Sequence, residues 1–124
     1  MFDSSCAVKT DDLNKLMGFV DCNSSVHVQS ARIGWRYNGN KIELWTYIYF
    51  DAKRITNRIA EVDLNEWFDC EIGFTKQTYF FSVNGVDAFE PRSNICTSGF
   101  YFILQPYFGG NDPAPQDVNV FVRW

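Results

Sequence analysis

Two Asn-Gly dipeptides, Asn38-Gly39 and Asn84-Gly85, each stand between apolar-rich runs, and they constrain this chain more than any other feature. Both residue types tolerate positive φ, which makes the pair the strongest short-range signal for a β-hairpin. Short runs rich in aromatic and β-branched residues recur along the rest of the chain with turn chemistry between them. They predict strands at 26–37, 42–50, 55–62, 67–74, 79–83, 86–89, 100–108 and 118–124. Residues 67–74 alternate Phe68, Cys70, Ile72 and Phe74 with Trp67, Asp69, Glu71 and Gly73, and Val118, Val120, Val122 and Trp124 share one face of the last run. Helical signals are confined to TDDLNKLMGF, with Thr10 as N-cap, acids in the first turn and Gly18 as a stop. Regularly spaced short strands with almost no helix mean an all-β fold, an antiparallel sandwich or barrel with one short N-terminal helix. No repeat, low-complexity segment or linker divides residues 1–124, so they form a single domain, long enough to bury roughly two thirds of its unfolded surface.

The first hairpin, RIGWRYNGNKIELWTYIYF, carries large side chains on both faces of both runs. Turn length decides which face is core. A two-residue Asn38-Gly39 loop pairs Tyr37 with Asn40, Trp35 with Ile42 and Ile33 with Leu44. Ile33, Trp35, Ile42, Leu44, Ile48 and Phe50 then make one apolar face. The other holds Arg32, Arg36, Lys41, Glu43, Trp45, Tyr47 and Tyr49. A four-residue loop keeps these faces, whereas a three-residue loop with a bulge would move Trp35 to the side of Glu43 and Trp45. The two-residue loop is the expectation, because it yields one purely apolar face.

Charge narrows the partners. The formal net charge is −4, and no run of five basic residues occurs. Nucleic acid and anionic membranes ask for a basic surface, so neither is expected as a partner. No stretch approaches 18 consecutive apolar residues, so no membrane insertion is expected. The opening MFDSSCAVKT lacks the charged and apolar regions of a secretion signal, which was either removed or never present.

Four cysteines, Cys6, Cys22, Cys70 and Cys96, allow three connectivities. Cys6–Cys22 with Cys70–Cys96 is the simplest, since each closes a short loop worth about 3 kcal/mol in the chain-entropy description. Four buried thiols are the alternative. At least one disulfide is expected, and with it an oxidising compartment, secreted or at the cell surface. There is no CxxC pair, and His27 is the only histidine, so no local Cys/His zinc site can be assembled. The triplet Asn23-Ser24-Ser25 has the form of a glycosylation acceptor, a pattern that often arises by chance.

The stretch NEWFDCEIGFTKQTYFFSVNGVDAF resembles the strand–turn–strand core of concanavalin A-like jelly rolls. In laminin G-like and related modules a Trp precedes an alternating strand, and the next strand ends in an aliphatic-Asn-Gly turn, here Val83-Asn84-Gly85. The tail YFILQPYFGGNDPAPQDVNVFVRW is similar to the closing strands of small proteins of gut Bacteroidetes and their phages, which carry a Pro-Tyr-Phe-Gly-Gly loop there. The resemblance spans residues 31–124 and implies a β-sandwich of jelly-roll type. Its motifs are structural. Glucanases of this fold place two acids on one strand in an ExDxxE pattern, which is missing here. Related polysaccharide lyases use a strand bearing Arg and Glu, a Gln-x-His pair and a Tyr-Phe-Lys strand. The nearest matches are Arg32 and Arg36, His27-Val28-Gln29 in reversed order, and Tyr79-Phe80-Phe81 without the Lys.

The mixed face of the first hairpin is therefore the candidate site: Arg32, Arg36, Glu43, Trp45, Tyr47 and Tyr49. Aromatic rings lie flat on the apolar face of a pyranose, while Arg and Glu hydrogen-bond its hydroxyls. Alternatively, the N-terminal segment packs over this face and buries Trp45 and Tyr47. Catalysis has little to stand on. No GxSxG elbow accompanies His27, which reads as a structural or surface residue. Glu43, Asp69 and Glu71 point outward as solvated strand acids do, rather than as a pair across a cleft. Asn111, Asp112 and Asp117 in GGNDPAPQD are oxygen donors of the kind calcium takes, without the spacing of a calcium loop. No metal or cofactor is expected. The reading is a non-catalytic, lectin-like carbohydrate-binding module, with a glycan or a protein as partner. The rivals are a structural or interaction domain such as a virion component or assembly subunit, where an oligomer would bury the same aromatics, and third a small polysaccharide-active enzyme.

Overall fold

A computed structural model describes residues 1–94, 96, 102–109 and 113–124. Within them lie a 3-10 turn at Ser4–Cys6 and eight strands: β1 (Asn14–Val20), β2 (Ser30–Tyr37), β3 (Ile42–Phe50), β4 (Lys53–Val62), β5 (Cys70–Phe74), β6 (Thr78–Val83), β7 (Val86–Pro91) and β8 (Phe102–Leu104). They form two antiparallel sheets, one in the order β4-β3-β2-β1-β8 and one in the order β5-β6-β7. The chain is an antiparallel β-sandwich, built as a four-stranded meander, a three-stranded meander and a return strand beside β1.

Period-2 alternation builds the interior. Ala31, Ile33 and Trp35 of β2 and Ile42, Leu44 and Ile48 of β3 face Tyr79, Phe81 and Val83 of β6 across a closed core. Each fully buried large apolar side chain contributes about 1.5–3 kcal/mol. Phe2 fills the open end, its ring 4.8 Å from Trp35 and 5.6 Å from Phe68. Two polar ties cross between the sheets. Thr46 Oγ1 (2.6 Å) and Asn57 Nδ2 (2.7 Å) both donate to Glu90 Oε1 on β7. Just after β1, Asp21 accepts from Arg92 Nε and from the Tyr79 hydroxyl, both at 2.7 Å.

The faces of the first hairpin are as expected, but its loop is longer. Tyr37 pairs with Ile42, Trp35 with Leu44 and Ile33 with Thr46, so the turn has four residues, 38–41. Asn38 Oδ1 accepts from the backbone N–H of Asn40 and of Lys41, which holds the wider loop closed. The second hairpin is a two-residue turn, with Val83 opposite Val86 and positive φ at Asn84 and Gly85.

Three expectations are corrected. The short helical turn lies at Ser4–Cys6, while the segment assigned as helix holds strand β1. Thr10 Oγ1 accepts from Asp12 N–H in a local bend instead of capping a helix. Pairing with β2 on one side and β8 on the other decides the matter, a tertiary choice that overrides local signals. The long strand at 26–37 begins only at Ser30. Residues 118–124 run extended along the N-terminal segment, joined by one bridge from Phe2 to Val120, and make no strand.

The disulfide is also relocated. Cys22 is bonded to Cys96, a separation of 74 residues, and Cys6 and Cys70 are free thiols. The short-loop pairings fail because Cys6 sits under residue 119, its Sγ 3.2 Å from the Asn119 carbonyl, while Cys70 lies beside Met17. No helix among the described residues is long and apolar enough to cross a membrane.

Candidate functional site

The second face of the large sheet is a groove covered in part: Tyr47 is buried there, while Trp45 and Tyr49 stay partly exposed. Its floor follows from strand register. Arg32 lies opposite Tyr47, Gly34 opposite Trp45 and Arg36 opposite Glu43, while β4 sets Arg54 beside Tyr49 and Thr56 beside Tyr47. Lys15 enters from β1, opposite Gly34. The walls are residues 11–13 and 26–27 on one part and 104–107 with 109 on another, around a space of about 880 Å3. Backbone hydrogen bonds between Lys15 and Tyr107 at 2.8 Å, one in each direction, fix the second wall to β1.

All six expected binding residues share this face, although Glu43, bonded to Arg36 and Trp45, does not line the space. Tyr47 is almost fully buried, 6% exposed, and Trp45 and Tyr49 are partly exposed. Arg36 Nε is 2.6 Å from Glu43 Oε2, and its guanidinium lies 4.8 Å from the Trp45 ring centre. Trp45 Nε1 donates to the same carboxylate at 3.2 Å. Burial pushes the Glu43 carboxyl up, but these hydrogen bonds and the Arg36 charge outweigh it and hold the group below its ordinary range. Glu43 therefore orients Arg36 and Trp45. Lys41, placed on the same face by alternation, sits in the turn and pairs with Asp63 at 3.2 Å.

Tyr47 is the centre of a cationic cluster. Lys15 Nζ and the Arg32 guanidinium each lie 4.7 Å from its ring centre. Arg54 lines the same groove and acts on the Tyr47 phenol. Burial opposes ionisation of the Tyr47 phenol, yet the Arg54 hydrogen bond and the Lys15 and Arg32 charges prevail and lower it. Tyr49 is shifted the opposite way, by burial first and then by Tyr47. Burial lowers both Lys15 and Arg32, as it does for any cation withdrawn from water. His27, exposed at the rim, packs edge-on against Tyr49 with ring centres 5.4 Å apart.

Lys15, Arg54, Thr56 and the 104–109 wall add to the expected set. Thr56 was legible, since it alternates with Ile55 within the expected strand 55–62, whereas Arg54 fell in the segment read as a turn before that strand. Lys15 was hidden by the helical reading of its segment.

The strand acids do not meet. Glu43 is on the large sheet, whereas Asp69 precedes and Glu71 lies within a strand of the small one. Among the described residues, Asp21, Cys22 and Cys96 form the cluster of metal-ligating types, but the sulfurs are bonded to each other and Asp21 is held by Arg92 and Tyr79. That cluster is structural. Asn111 and Asp112 of the suggested calcium loop lie outside the described residues, and Asp117 is exposed. The chain matches no protein-family model, no curated protein and no solved structure. What the groove does must be argued from its own chemistry: partly exposed aromatics, charged hydrogen-bond donors, and a rigid sheet beneath them.

Proposed function

We propose that the protein is a non-catalytic, lectin-like module that binds a glycan in this groove, in the manner of the concanavalin A-like domains its hairpins resemble. The observation that carries the reading is the form of the face. Trp45 and Tyr49 stand at the floor of a walled groove beside oriented Arg36 and Lys15, where a protein-docking face would be flat and apolar. Aromatic rings supply large contact area at small entropic cost, and the cations supply directional donors for hydroxyls. The Cys22–Cys96 disulfide favours a secreted or cell-surface setting.

A glycan array probed with wild type and with Trp45→Ala tests this. Wild type gives defined hits, and Trp45→Ala loses about 1–3 kcal/mol of affinity for them, the scale of one stacked ring with its contacts. A wild-type protein that binds no glycan, and that light scattering shows to be a multimer which Trp45→Ala dissociates, would end the lectin reading.

One observation favours the rival reading, an interaction domain. Trp67, Phe121, Val122 and Trp124 are exposed together near the N-terminus, Trp124 at 86%. In that case a partner covers this patch, and Trp124→Ser rather than Trp45→Ala alters the assembly state.

A further inference from the structure

Four of the chain's eleven basic residues, Lys15, Arg32, Arg36 and Arg54, line one groove of a protein whose overall charge is negative. Arg36 is neutralised by Glu43. Arg32 is not: among the described residues no carboxylate lies within ion-pair distance of it, and its Nε is buried without a hydrogen-bond partner. Its guanidinium is half-buried against the Tyr47 ring, and a buried donor left without a partner is the kind of group that something else completes. Its placement is built into the sheet. Gly18, directly opposite Arg32 in β1, leaves the space that the Arg32 side chain occupies.

Lys15 is fixed as firmly. Nζ donates to the carbonyls of Leu13 (2.7 Å) and Gly109 (3.0 Å), and it faces the Tyr47 ring. Arg54, opposite Tyr49 in β4, lines the same groove, and its charge acts on Tyr47. Asp11 and Asp12 are the acids of the groove wall, and Asp12 acts on both Lys15 and Arg54. With Arg36 paired to Glu43, Lys15, Arg32 and Arg54 stand against Asp11 and Asp12, which leaves the groove a net positive charge.

We infer that the glycan taken by this groove is acidic, with a carboxylate or sulfate group seated among Lys15, Arg32 and Arg54 while Trp45 and Tyr49 carry sugar faces. This rests on the carbohydrate-binding reading above. Guanidinium and ammonium groups held in place bind such oxyanions by charge-assisted hydrogen bonds, and the partial burial of Lys15 and Arg32 makes those bonds count for more.

Calorimetric titration with neutral dextran, polygalacturonate and dextran sulfate tests it, with the two acidic polymers separating carboxylate from sulfate. Wild type binds at least one acidic polymer and prefers it to dextran by about tenfold or more, the scale of one charge-assisted contact. Arg32→Gln and Arg54→Gln each weaken that binding by about tenfold, while Lys76→Gln, an equal charge change in the exposed β5–β6 turn, leaves it unaltered. Arg54 is exposed on an edge strand, so Arg54→Gln keeps the test open if Arg32→Gln does not fold. Equal binding of dextran, or an equal loss in Lys76→Gln, overturns the acidic assignment. If none of the three polymers binds while neutral glycans on the array do, the acidic assignment falls and the carbohydrate reading stands; silence in both ends the two together.

Discussion

A methyl group on Gly18 would lie 2.2 Å from the Ala31 carbonyl oxygen and 2.6 Å from both Cα and Cγ of Arg32. The first neighbour is backbone and cannot step aside, so Gly18→Ala must push β1 away from β2. It should destabilise the fold by about 1–3 kcal/mol, the usual cost of overpacking, read as a lower urea midpoint with an unchanged slope. An unaltered midpoint would mean that the strands separate freely there. The free thiols make a second residue-level test. Burial raises both Cys6 and Cys70, so neither is a ready thiolate at neutral pH. Alkylation of the folded, unreduced protein should be slow at both, and unfolding without reductant should expose Cys6 and Cys70 alone. Peptide mapping that instead recovers Cys6 joined to Cys22 would contradict the structure.

At the scale of elements, the strands β3, β6 and β7 were plain in the sequence because alternation and the Asn-Gly turns agreed with each other. The Asn38-Gly39 loop was legible in its faces and not in its pairing. Two-residue and four-residue loops preserve the same parity, and the longer one is held by the Asn38 side chain, accepting from Asn40 and Lys41, and by the Asn38 N–H donating to the Lys41 carbonyl. Strand β1 was illegible because Thr10, the acids and Gly18 imitate helix punctuation, while the partners that make it a strand lie elsewhere in the chain. The Asp21–Arg92–Tyr79 tie was equally hidden, joining residues far apart in sequence. Removing one partner of such a buried pair strands the other charge. Arg92→Gln should cost about 3–5 kcal/mol in urea unfolding. Burial pushes Asp21 up, but the hydrogen bonds from Arg92 and Tyr79 prevail and hold it below its ordinary 3.8. The sign follows. A carboxyl depressed in the fold adds stability that is complete above its unfolded value and is lost as pH falls through the lower folded one. Urea midpoints should therefore drop as the pH falls below about 4, and a profile flat through that range would refute the assignment.

For the whole molecule, a single disulfide joins the end of β1 to the segment after β7, tying the large sheet to the small one. In the chain-entropy description a loop of this length is worth about 4 kcal/mol, more than either short loop the cysteine spacing suggested. Spacing favours local closure, but the meander brings distant segments together, and that is why cysteine arithmetic misled. The same geometry separates two surfaces: a basic, aromatic groove on the outer face of the large sheet, and an apolar patch around Trp67 and Trp124. A glycan in the first is the function proposed for the protein. Of the four tryptophans, Trp35 is buried, Trp45 is in the groove, and Trp67 and Trp124 are in the patch. Indole N–H resonances followed by NMR during titration with a glycan that binds report on each separately. Trp45 should shift with saturation while Trp67 and Trp124 stay in place; shifts confined to Trp67 and Trp124 would rule out a glycan in the groove.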